Sequence, residues 1–347
     1  MMTEVDARSR PRPADGSDPG QAPSRVTIGK ALNLGLRAAM ERDPKVILMG
    51  EDIGRLGGVF RITDGLQKDF GEQRVLDTPL AESGIVGAAI GLAIRGYRPV
   101  CEIQFDGFIF PAFDQIVSQL AKLNYRSQGR IRMPVVIRVP FGGGIGAVEH
   151  HSESPESYFA HTAGLKVVAC SNPVDAYWMI QQAIESDEPV LFFEPKRRYH
   201  EKAELDLTAT PVPLHSSRVL RRGGTATIAC YGPMVKTCLE AAESAAEQEG
   251  HDLEVIDLRT LSPLDLEPVH ESVRRTGRLV VASEAPGESS IASEIAARVQ
   301  QECFYSLEAP VVRVTGFDTP YPPSKLEEEY LPDLDRVLHA VEQSLGW

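Results

Sequence analysis

Short apolar runs alternate with amphipathic segments along most of this chain, and this alternation constrains its fold more than any other feature. Runs such as Val46–Met49 and Val190–Phe193 are apolar at every position, which is typical of a strand buried on both faces. Between such runs lie segments whose apolar residues recur every three to four positions, as they do from Thr27 to Met40. The pattern predicts an α/β fold with a mainly parallel sheet covered on both faces by helices.

The alternation is interrupted once. Between about Tyr199 and Gly224 the periodicity lapses, and a new series starts with a strand at Thr225. We therefore predict a parallel-sheet domain at residues 26–212 and a smaller α/β domain at residues 213–347, joined by a linker. In the second domain, Ser262–Pro263 is predicted to open a helix.

Composition excludes several classes of partner. The net charge is -13, from 36 basic and 49 acidic residues, so nucleic acid and anionic membrane are not expected partners. The longest apolar run, Gly84–Ile94, is too short to span a membrane. Five scattered cysteines without CxxC spacing predict a reducing, cytoplasmic location. Residues 1–25 hold prolines and charges but no apolar run, and they predict a disordered tail.

The stretch from Asp77 to Phe108 contains the first candidate for chemistry. Pro79 disfavours a helical conformation at the residue before it, and small and branched residues recur at helical spacing after Glu82. Glu82 is therefore predicted in the first turn of a helix, where a carboxylate is also a common capping group. Its setting favours a functional role, because the helix is rich in glycine and a strand leading to Gln104 and two aromatic residues follows.

Two further segments remain open to several interpretations. Pro140–Gly146 is glycine-rich but lacks the spacing of a dinucleotide fingerprint and the lysine of a phosphate loop, which favours a loop beside a cleft. Glu149–Glu156 gathers histidines and carboxylates, with His161 beyond, and permits a metal site, structural histidines or an acid/base histidine. The chain also lacks a Gly-Asp-Gly sequence followed by Asn, a pattern that holds magnesium and a diphosphate.

Several longer strings resemble the β subunit of the thiamine-diphosphate-dependent 2-oxo acid dehydrogenases. The resemblance extends from about Val26 to the C-terminus and implies a thiamine-diphosphate-binding, pyrimidine-type domain followed by a transketolase C-terminal-like domain. Gln104–Phe105 and Ile109–Gln115 are most similar to the branched-chain enzyme, and the pyruvate enzyme is the near neighbour. The matching strings are Asp77–Gly84, Glu102–Phe105, Phe110–Gln115, His151–Glu156, Phe192–Lys196 and Glu254–Thr260.

The resemblance implies a role for each matching residue. Glu82 matches the catalytic glutamate that hydrogen-bonds the pyrimidine ring nitrogen of the cofactor. Leu80 and Phe108 match the apolar residues that contact the aminopyrimidine ring of the cofactor, and Gln104 matches a polar side chain near the substrate. His151 matches the histidine linked to proton transfer during reductive acylation of the lipoyl arm.

The resemblance also implies partners and ions. An α subunit would carry the missing diphosphate motif and most of the magnesium site in an α2β2 heterotetramer, so this chain alone should be inactive. A lipoyl-bearing dihydrolipoyl acyltransferase would accept the acyl group from a small 2-oxo acid. The sequence departs from the family at Gly287–Ser290, where we expect altered contacts with the acyltransferase core but unchanged chemistry. Relatives hold a potassium ion at positions that match Met133, Val135, Val136, Ala183, Ser186 and Glu188, of which the last two differ in residue type.

Two other functions compete with this one. A binding module for a flavin or nucleotide carrier would use two α/β domains, but the broken glycine fingerprint disfavours it. A self-sufficient transketolase-like homodimer is disfavoured by the missing diphosphate motif.

Overall fold

A computed structural model describes residues 25–347, and it confirms the predicted two-domain α/β fold with a mainly parallel first sheet. The tail predicted at residues 1–25 lies outside the described residues except for Arg25. Within residues 25–347, no helix is long and apolar enough to cross a membrane.

The strands alternate with helices in the order that the periodicity predicts. In chain order the strands are β1 (Val26–Thr27), β2 (Val46–Gly50), β3 (Val75–Asp77), β4 (Arg98–Glu102), β5 (Val136–Phe141), β6 (Lys166–Ala169), β7 (Val190–Pro195), β8 (Lys202–Ala203), β9 (Arg218–Arg221), β10 (Ala226–Cys230), β11 (Leu253–Asp257), β12 (Thr260–Ser262), β13 (Leu279–Pro286) and β14 (Val312–Gly316).

The helices cover both faces of the sheets. They are α1 (Ile28–Arg42), α2 (Leu66–Phe70), α3 (Glu82–Ile94), α4 (Ala121–Arg126), α5 (Glu156–Ala160), α6 (Pro173–Glu185), α7 (Met234–Gln248), α8 (Glu267–Thr276), α9 (Ile291–Cys303), α10 (Glu327–Tyr330) and α11 (Leu334–Leu345). A 3-10 segment at Asp106–Ala112 and a π-helical turn at Gln115–Leu120 precede α4.

Local sequence signals place several helix starts correctly. Thr27 accepts the Lys30 N–H at 3.1 Å before α1, and Asn172 accepts the Asp175 N–H at 3.0 Å before α6, with Pro173 as its first residue. Thr and Asn are common capping residues, and each of these two side chains satisfies a backbone donor that the helix leaves free.

The first sheet has the strand order β12-β6-β7-β5-β4-β2-β3, and all its pairs are parallel except β12 with β6. The second sheet has the order β14-β13-β10-β11-β9, in which only β9 runs antiparallel. The short strands β1 and β8 pair separately. One hydrophobic core cluster contains residues of both sheets, including Val139 and Val281.

Three details differ from the prediction. The segment from Tyr199 to Gly224 is not simply a linker, because it contains β8 and β9. Ser262–Pro263 does not open a helix, and α8 begins at Glu267 instead. Strand β12 lies beyond the predicted boundary at 212/213 but pairs with the first sheet, so the two halves of the chain share a hydrogen-bonded edge.

Buried polar contacts also cross between the halves. The Tyr231 hydroxyl donates to Glu156 at 2.6 Å, and the Arg259 guanidinium donates to Asp175 at 3.1 Å. All four side chains are buried, and a buried donor or acceptor without a partner is costly, so these contacts fix how the two sheets lie together.

Candidate active site

The candidate residues lie at the carboxyl ends of adjacent parallel strands of the first sheet. Glu82 follows β3, Glu51 follows β2, Gln104 follows β4 and His151 lies in the loop after β5. These strands are neighbours in the order β5-β4-β2-β3, so their carboxyl ends share one edge. Open α/β sheets bind ligands in the crevice at this edge.

Glu82 is the first residue of α3, as the sequence predicts. Its side chain lies under a rim of exposed residues, since Glu82 is 7% exposed while Leu80 is 81% exposed. Pro79 and Ala81 are exposed as well. The carboxylate is therefore neither turned to bulk water nor enclosed far from the surface, and Leu80 presents an uncovered apolar side chain beside it.

A second buried acid, Glu51, lies beside Glu82 and was not predicted as a site residue. Burial raises the pKa of Glu51, the negative charges of Glu82 and Asp52 raise it further, and a hydrogen bond from the Ala81 N–H opposes them. One Glu51 carboxylate oxygen is buried without a hydrogen-bond partner in the structure. The sequence does carry a signal for it, because Glu51 directly follows the apolar run Val46–Met49, and open α/β sheets bind ligands at the carboxyl ends of such strands.

Gln104 and His151 are linked to this acidic pair through the loop that follows β4. The Gln104 amide donates to the Glu51 carbonyl oxygen at 3.3 Å. The next residue, Phe105, stacks on the His151 ring with centroids 3.9 Å apart and planes at 25°. Phe108 meets the same imidazole edge-on at 5.1 Å. The predicted site residues thus form one continuous group at the sheet edge.

The environment of His151 favours its neutral form. Burial lowers the pKa of His151, and the charges of His150 and Lys196 also lower it. A hydrogen bond from the His151 ring to the His150 backbone and the negative charge of Glu149 act in the opposite direction. A neutral imidazole can accept a proton at one nitrogen and donate at the other. The Nδ1 atom of His151 is buried and has no partner in the structure.

An ionic network supports the site from beneath. Arg138 on β5 donates to Glu102 at 2.7 Å and to both oxygens of Glu194, at 2.7 and 3.0 Å. The Tyr199 hydroxyl donates to Glu194 at 2.6 Å. Burial lowers the pKa of Arg138, but the two carboxylates raise it by more, so the guanidinium stays charged. The network fixes the ends of β4, β5 and β7 relative to one another, because a buried charge must keep its partners.

The glycine-rich loop after β5 is not free to bind a phosphate. The Gly143 N–H donates to Glu284 at 3.1 Å, and the Gly144 and Gly146 N–H groups donate to Glu327 at 2.9 and 2.8 Å. The donors that a nucleotide would need are therefore bound to carboxylates of the second half of the chain. In residues 25–347 there is also no group of three or more His, Cys, Asp or Glu side chains that could hold a metal ion.

A cavity of about 660 Å³ lies between the two halves of the chain. Ser152, Glu153 and Tyr158 line it from the first half, and Glu284 and Tyr321 line it from the second. Glu82, Leu80 and Phe108 are not part of its wall. The Glu82 carboxylate and the exposed Leu80 beside it therefore lie outside this cavity.

The six carbonyl groups predicted to hold potassium lie at the opposite edge of the sheet. Met133, Val135 and Val136 lie before and at the start of β5, Ala183 lies in the last turn of α6, and Ser186 and Glu188 lie between α6 and β7. Several already accept hydrogen bonds. The Met133 carbonyl accepts from the Val135 N–H at 2.7 Å, and the Val135 carbonyl accepts from the Val190 N–H at 2.9 Å. The Ser186 carbonyl accepts from the Arg98 guanidinium at 2.9 Å, which places a positive charge at this position.

Comparison with known proteins identifies the family. Residues 24–202 match the model described as "Transketolase, pyrimidine binding domain", and residues 215–337 match "Transketolase, C-terminal domain". A Leifsonia xyli protein named "Pyruvate dehydrogenase E1 component subunit beta" is 64% identical over 318 residues, which are 92% of this chain and 94% of the relative. The chain belongs to the β-subunit family of the 2-oxo acid dehydrogenases. This confirms the resemblance found in the sequence.

Other members of this β-subunit family, whose names give a substrate other than pyruvate, are also similar to the chain. "3-methyl-2-oxobutanoate dehydrogenase subunit beta" of Mycobacterium tuberculosis is 52% identical over 320 residues, 92% of each chain. "2-oxoisovalerate dehydrogenase subunit beta" of Pseudomonas aeruginosa is 43% identical over 334 residues, covering 91% of this chain and 94% of the relative.

A solved structure titled "Split gene transketolase, inactive beta4 tetramer" has the same fold as this member of the β-subunit family. It superposes with a TM-score of 0.77 at 24% sequence identity, and the aligned region covers 92% of this chain and 98% of the chain in the solved structure. The transketolase-like two-domain architecture predicted from the sequence is therefore confirmed.

Proposed function

We propose that this chain is the β subunit of the decarboxylating component of a branched-chain 2-oxo acid dehydrogenase complex. The component would carry out thiamine-diphosphate-dependent oxidative decarboxylation of a 2-oxo acid and reductive acylation of a lipoyl group. The observation that supports this proposal most directly is the buried Glu82 carboxylate at an open sheet edge, under an uncovered apolar rim.

The residues at this edge fit the aminopyrimidine half of thiamine diphosphate. A carboxylate is available in Glu82, and the unpartnered buried oxygen of Glu51 is an acceptor without a donor. Leu80 and Phe108 offer apolar surface for a flat ring. When bound, thiamine diphosphate supplies the electron sink for decarboxylation. Glu82 would hold a proton at the ring nitrogen, and the apolar rim would orient the ring and exclude water.

Gln104 and His151 would act on the other reactants. Gln104 is held by the Glu51 carbonyl oxygen and would offer its amide to the substrate. His151 is stacked on Phe105 and has an unpartnered nitrogen, so it would hold or move a proton when the acyl group passes to the lipoyl arm. The lipoyl arm would belong to a dihydrolipoyl acyltransferase.

We further propose an α subunit as the partner that completes the site in an α2β2 heterotetramer and carries most of the magnesium site. The first experiment is a decarboxylation assay, with thiamine diphosphate and magnesium, of this chain alone and of this chain co-purified with its α partner. We expect turnover only with the partner. Turnover by the chain alone would support the transketolase-like homodimer, and an absorbance spectrum showing a bound flavin in the purified protein would support the carrier-binding module.

The preferred substrate is the second point to test. The strings at Gln104–Phe105 and Ile109–Gln115 favour 3-methyl-2-oxobutanoate, whereas the 64%-identical relative carries the name of a pyruvate enzyme. A methylene group in such a pocket changes kcat/KM by about 10- to 200-fold, so the two acids can be separated by steady-state kinetics. A higher kcat/KM on pyruvate would make the pyruvate dehydrogenase β subunit the correct assignment.

Potassium and a cytoplasmic location stay predictions. The potassium carbonyls are main-chain oxygens of the type that hard cations prefer, but the Arg98 guanidinium already donates to the Ser186 carbonyl and places a positive charge beside it. A higher unfolding temperature in KCl than in NaCl at equal ionic strength would support a potassium site, and equal temperatures would argue against one. The five cysteines are buried and unpaired, which is consistent with a reducing compartment.

A further inference from the structure

The loop that carries His151 is a closed surface loop. It leaves the first sheet at Phe141, the last residue of β5, and returns at Glu153. The Gly142 N–H donates to the Glu153 carbonyl oxygen at 2.8 Å and joins the two ends of the loop. The Asp106 carboxylate accepts the Glu153 N–H on the returning side. Loops of this length with joined ends are compact units whose position depends on a few outside contacts.

The outside contact on the far side of this loop comes from the second half of the chain. Glu327, the first residue of α10, accepts the Gly144 N–H on one carboxylate oxygen at 2.9 Å and the Gly146 N–H on the other at 2.8 Å. The Tyr321 hydroxyl donates to the first of these oxygens at 2.6 Å. Glu327 is 7% exposed although both its neighbours toward the C-terminus, Glu328 and Glu329, are exposed.

The backbone of the loop is shaped to hold a carboxylate. Gly144 and Gly146 have φ angles of 84° and 70°, a region that glycine adopts without strain. The N–H groups of these two glycines donate to the two oxygens of one carboxylate, in the way that backbone N–H groups in turns can bind an anion. Here the anion is supplied by the protein itself. Hydrogen bonds from N–H groups to a carboxylate are about twice as strong as those between neutral groups.

We propose that Glu327 is a positioning residue for His151, a role that rests on the function proposed for His151 above. By holding Gly144 and Gly146, the carboxylate fixes the loop Phe141–Ser152, so the His151 ring keeps its place on Phe105. The second half of the chain would thus control the proton-transfer group of the first.

Hydrogen–deuterium exchange of the full chain tests the contact without any activity. In Glu327→Gln the side chain keeps its size, but an NH2 group that cannot accept a hydrogen bond replaces one of the two carboxylate oxygens, so one of the two N–H groups loses its acceptor. We expect peptides covering residues 142–152 to exchange about tenfold faster or more than in the wild type, since bonds to charged groups are the stronger kind. Glu328→Gln, on the same turn but exposed, is the matched control and should leave the exchange unchanged.

Two half-reactions of the co-purified complex test the positioning. Decarboxylation measured with an artificial electron acceptor does not use the lipoyl arm, whereas acyl transfer to a lipoylated domain does. We expect Glu327→Gln to lower kcat for lipoyl acylation about tenfold and to change the artificial-acceptor rate less than twofold. Glu327→Asp is one methylene shorter and should show the same split, which keeps the test valid if the Gln variant folds poorly.

The outcomes separate the two proposals. Unchanged exchange in residues 142–152 overturns the role of Glu327 in holding the loop, whatever reaction the enzyme catalyses. Faster exchange with equal losses in both half-reactions, or with no loss in either, overturns the positioning of His151. If the wild-type complex decarboxylates no 2-oxo acid, the proposed function fails, while the exchange result still tests the loop contact.

Discussion

The buried pair of Lys196 and Asp106 gives the sharpest test of the energetics beneath the site. The ammonium group contacts the Asp106 carboxylate, and both side chains have no exposure to solvent. The same carboxylate accepts the Glu153 N–H at the base of the His151 loop. Lys196→Met removes the positive charge, keeps most of the apolar stem and leaves Asp106 buried without its counter-ion.

The cost has an upper limit set by protonation. Removing one partner of a buried ion pair typically costs about 3–5 kcal/mol. Asp106 can avoid the unpaired charge by binding a proton, and because burial already raises its pKa to about 6 in the folded wild type, protonation at pH 7 costs only about 1–2 kcal/mol. We therefore expect Lys196→Met to lower the free energy of unfolding by about 1–2 kcal/mol at pH 7, which is less than the usual cost of a broken buried pair.

The pH dependence follows from the pKa of Asp106. Burial raises this pKa to about 6 in the wild type, although Lys196 lowers it, so removing Lys196 raises it further. A carboxyl group whose folded pKa lies above the unfolded value binds more protons when folded, and the stability therefore falls as the pH rises between the two values. In the variant, the folded and unfolded pKa values of Asp106 differ more than in the wild type, so acidification stabilises the variant more. The difference in unfolding free energy between variant and wild type should therefore shrink by about 1–2 kcal/mol from pH 7 to pH 5.

Urea unfolding followed by circular dichroism at both pH values measures these differences. The matched control is the double variant Asp106→Asn with Lys196→Met, which removes both charges and keeps an acceptor for the Glu153 N–H. It should recover most of the loss, because replacing both partners of a buried pair is often neutral. The absence of a measurable deficit at pH 7, a deficit above about 3 kcal/mol, or a deficit that does not shrink at pH 5 would refute the reasoning.

Three further predictions test the packing that supports the site. Tyr231→Phe leaves the Glu156 carboxylate without its 2.6 Å donor. Because burial raises the pKa of Glu156 to about 7, the decrease in unfolding free energy measured with urea should be larger at pH 8 than at pH 6. Asn172→Ala removes the cap of α6 and should cost about 1 kcal/mol by the same measurement, whereas no loss would contradict the capping role. Gly35 lies where α1 crosses α6, and Gly35→Ala would place a Cβ 2.5 Å from Ile180 Cγ2 and 2.8 Å from the Tyr177 carbonyl oxygen. Because such overpacking costs about 1–3 kcal/mol, the substitution should lower the unfolding temperature of the protein.

The features that the sequence predicts well are local. Thr27 and Asn172 signal helix starts by their side-chain chemistry, and the spacing after Glu82 places this acid in a first turn without knowledge of the rest of the chain. The alternation of strands and helices likewise predicts a parallel sheet, whose carboxyl edge collects the candidate residues.

What escapes the sequence depends on partners far away in the chain. Strand β12 is three residues long and exists because its backbone pairs with β6 of the first sheet. Arg138 shows no pattern of its own, and its role emerges only when β4, β5 and β7 bring two carboxylates to it. Glu51 could have been suspected from its strand end, but its position beside Glu82 follows from the adjacency of β2 and β3.

The most direct test of the account is the decarboxylation rate of Glu82→Gln in the complex with its α partner. General acid–base groups contribute about 10²- to 10⁴-fold, so kcat should fall at least a hundredfold while co-purification with the partner is retained. Glu72→Gln, an exposed acid ten residues earlier, should leave the rate unchanged. Wild-type turnover in an assembled Glu82→Gln complex would contradict the central claim that this chain supplies the acid of a shared site.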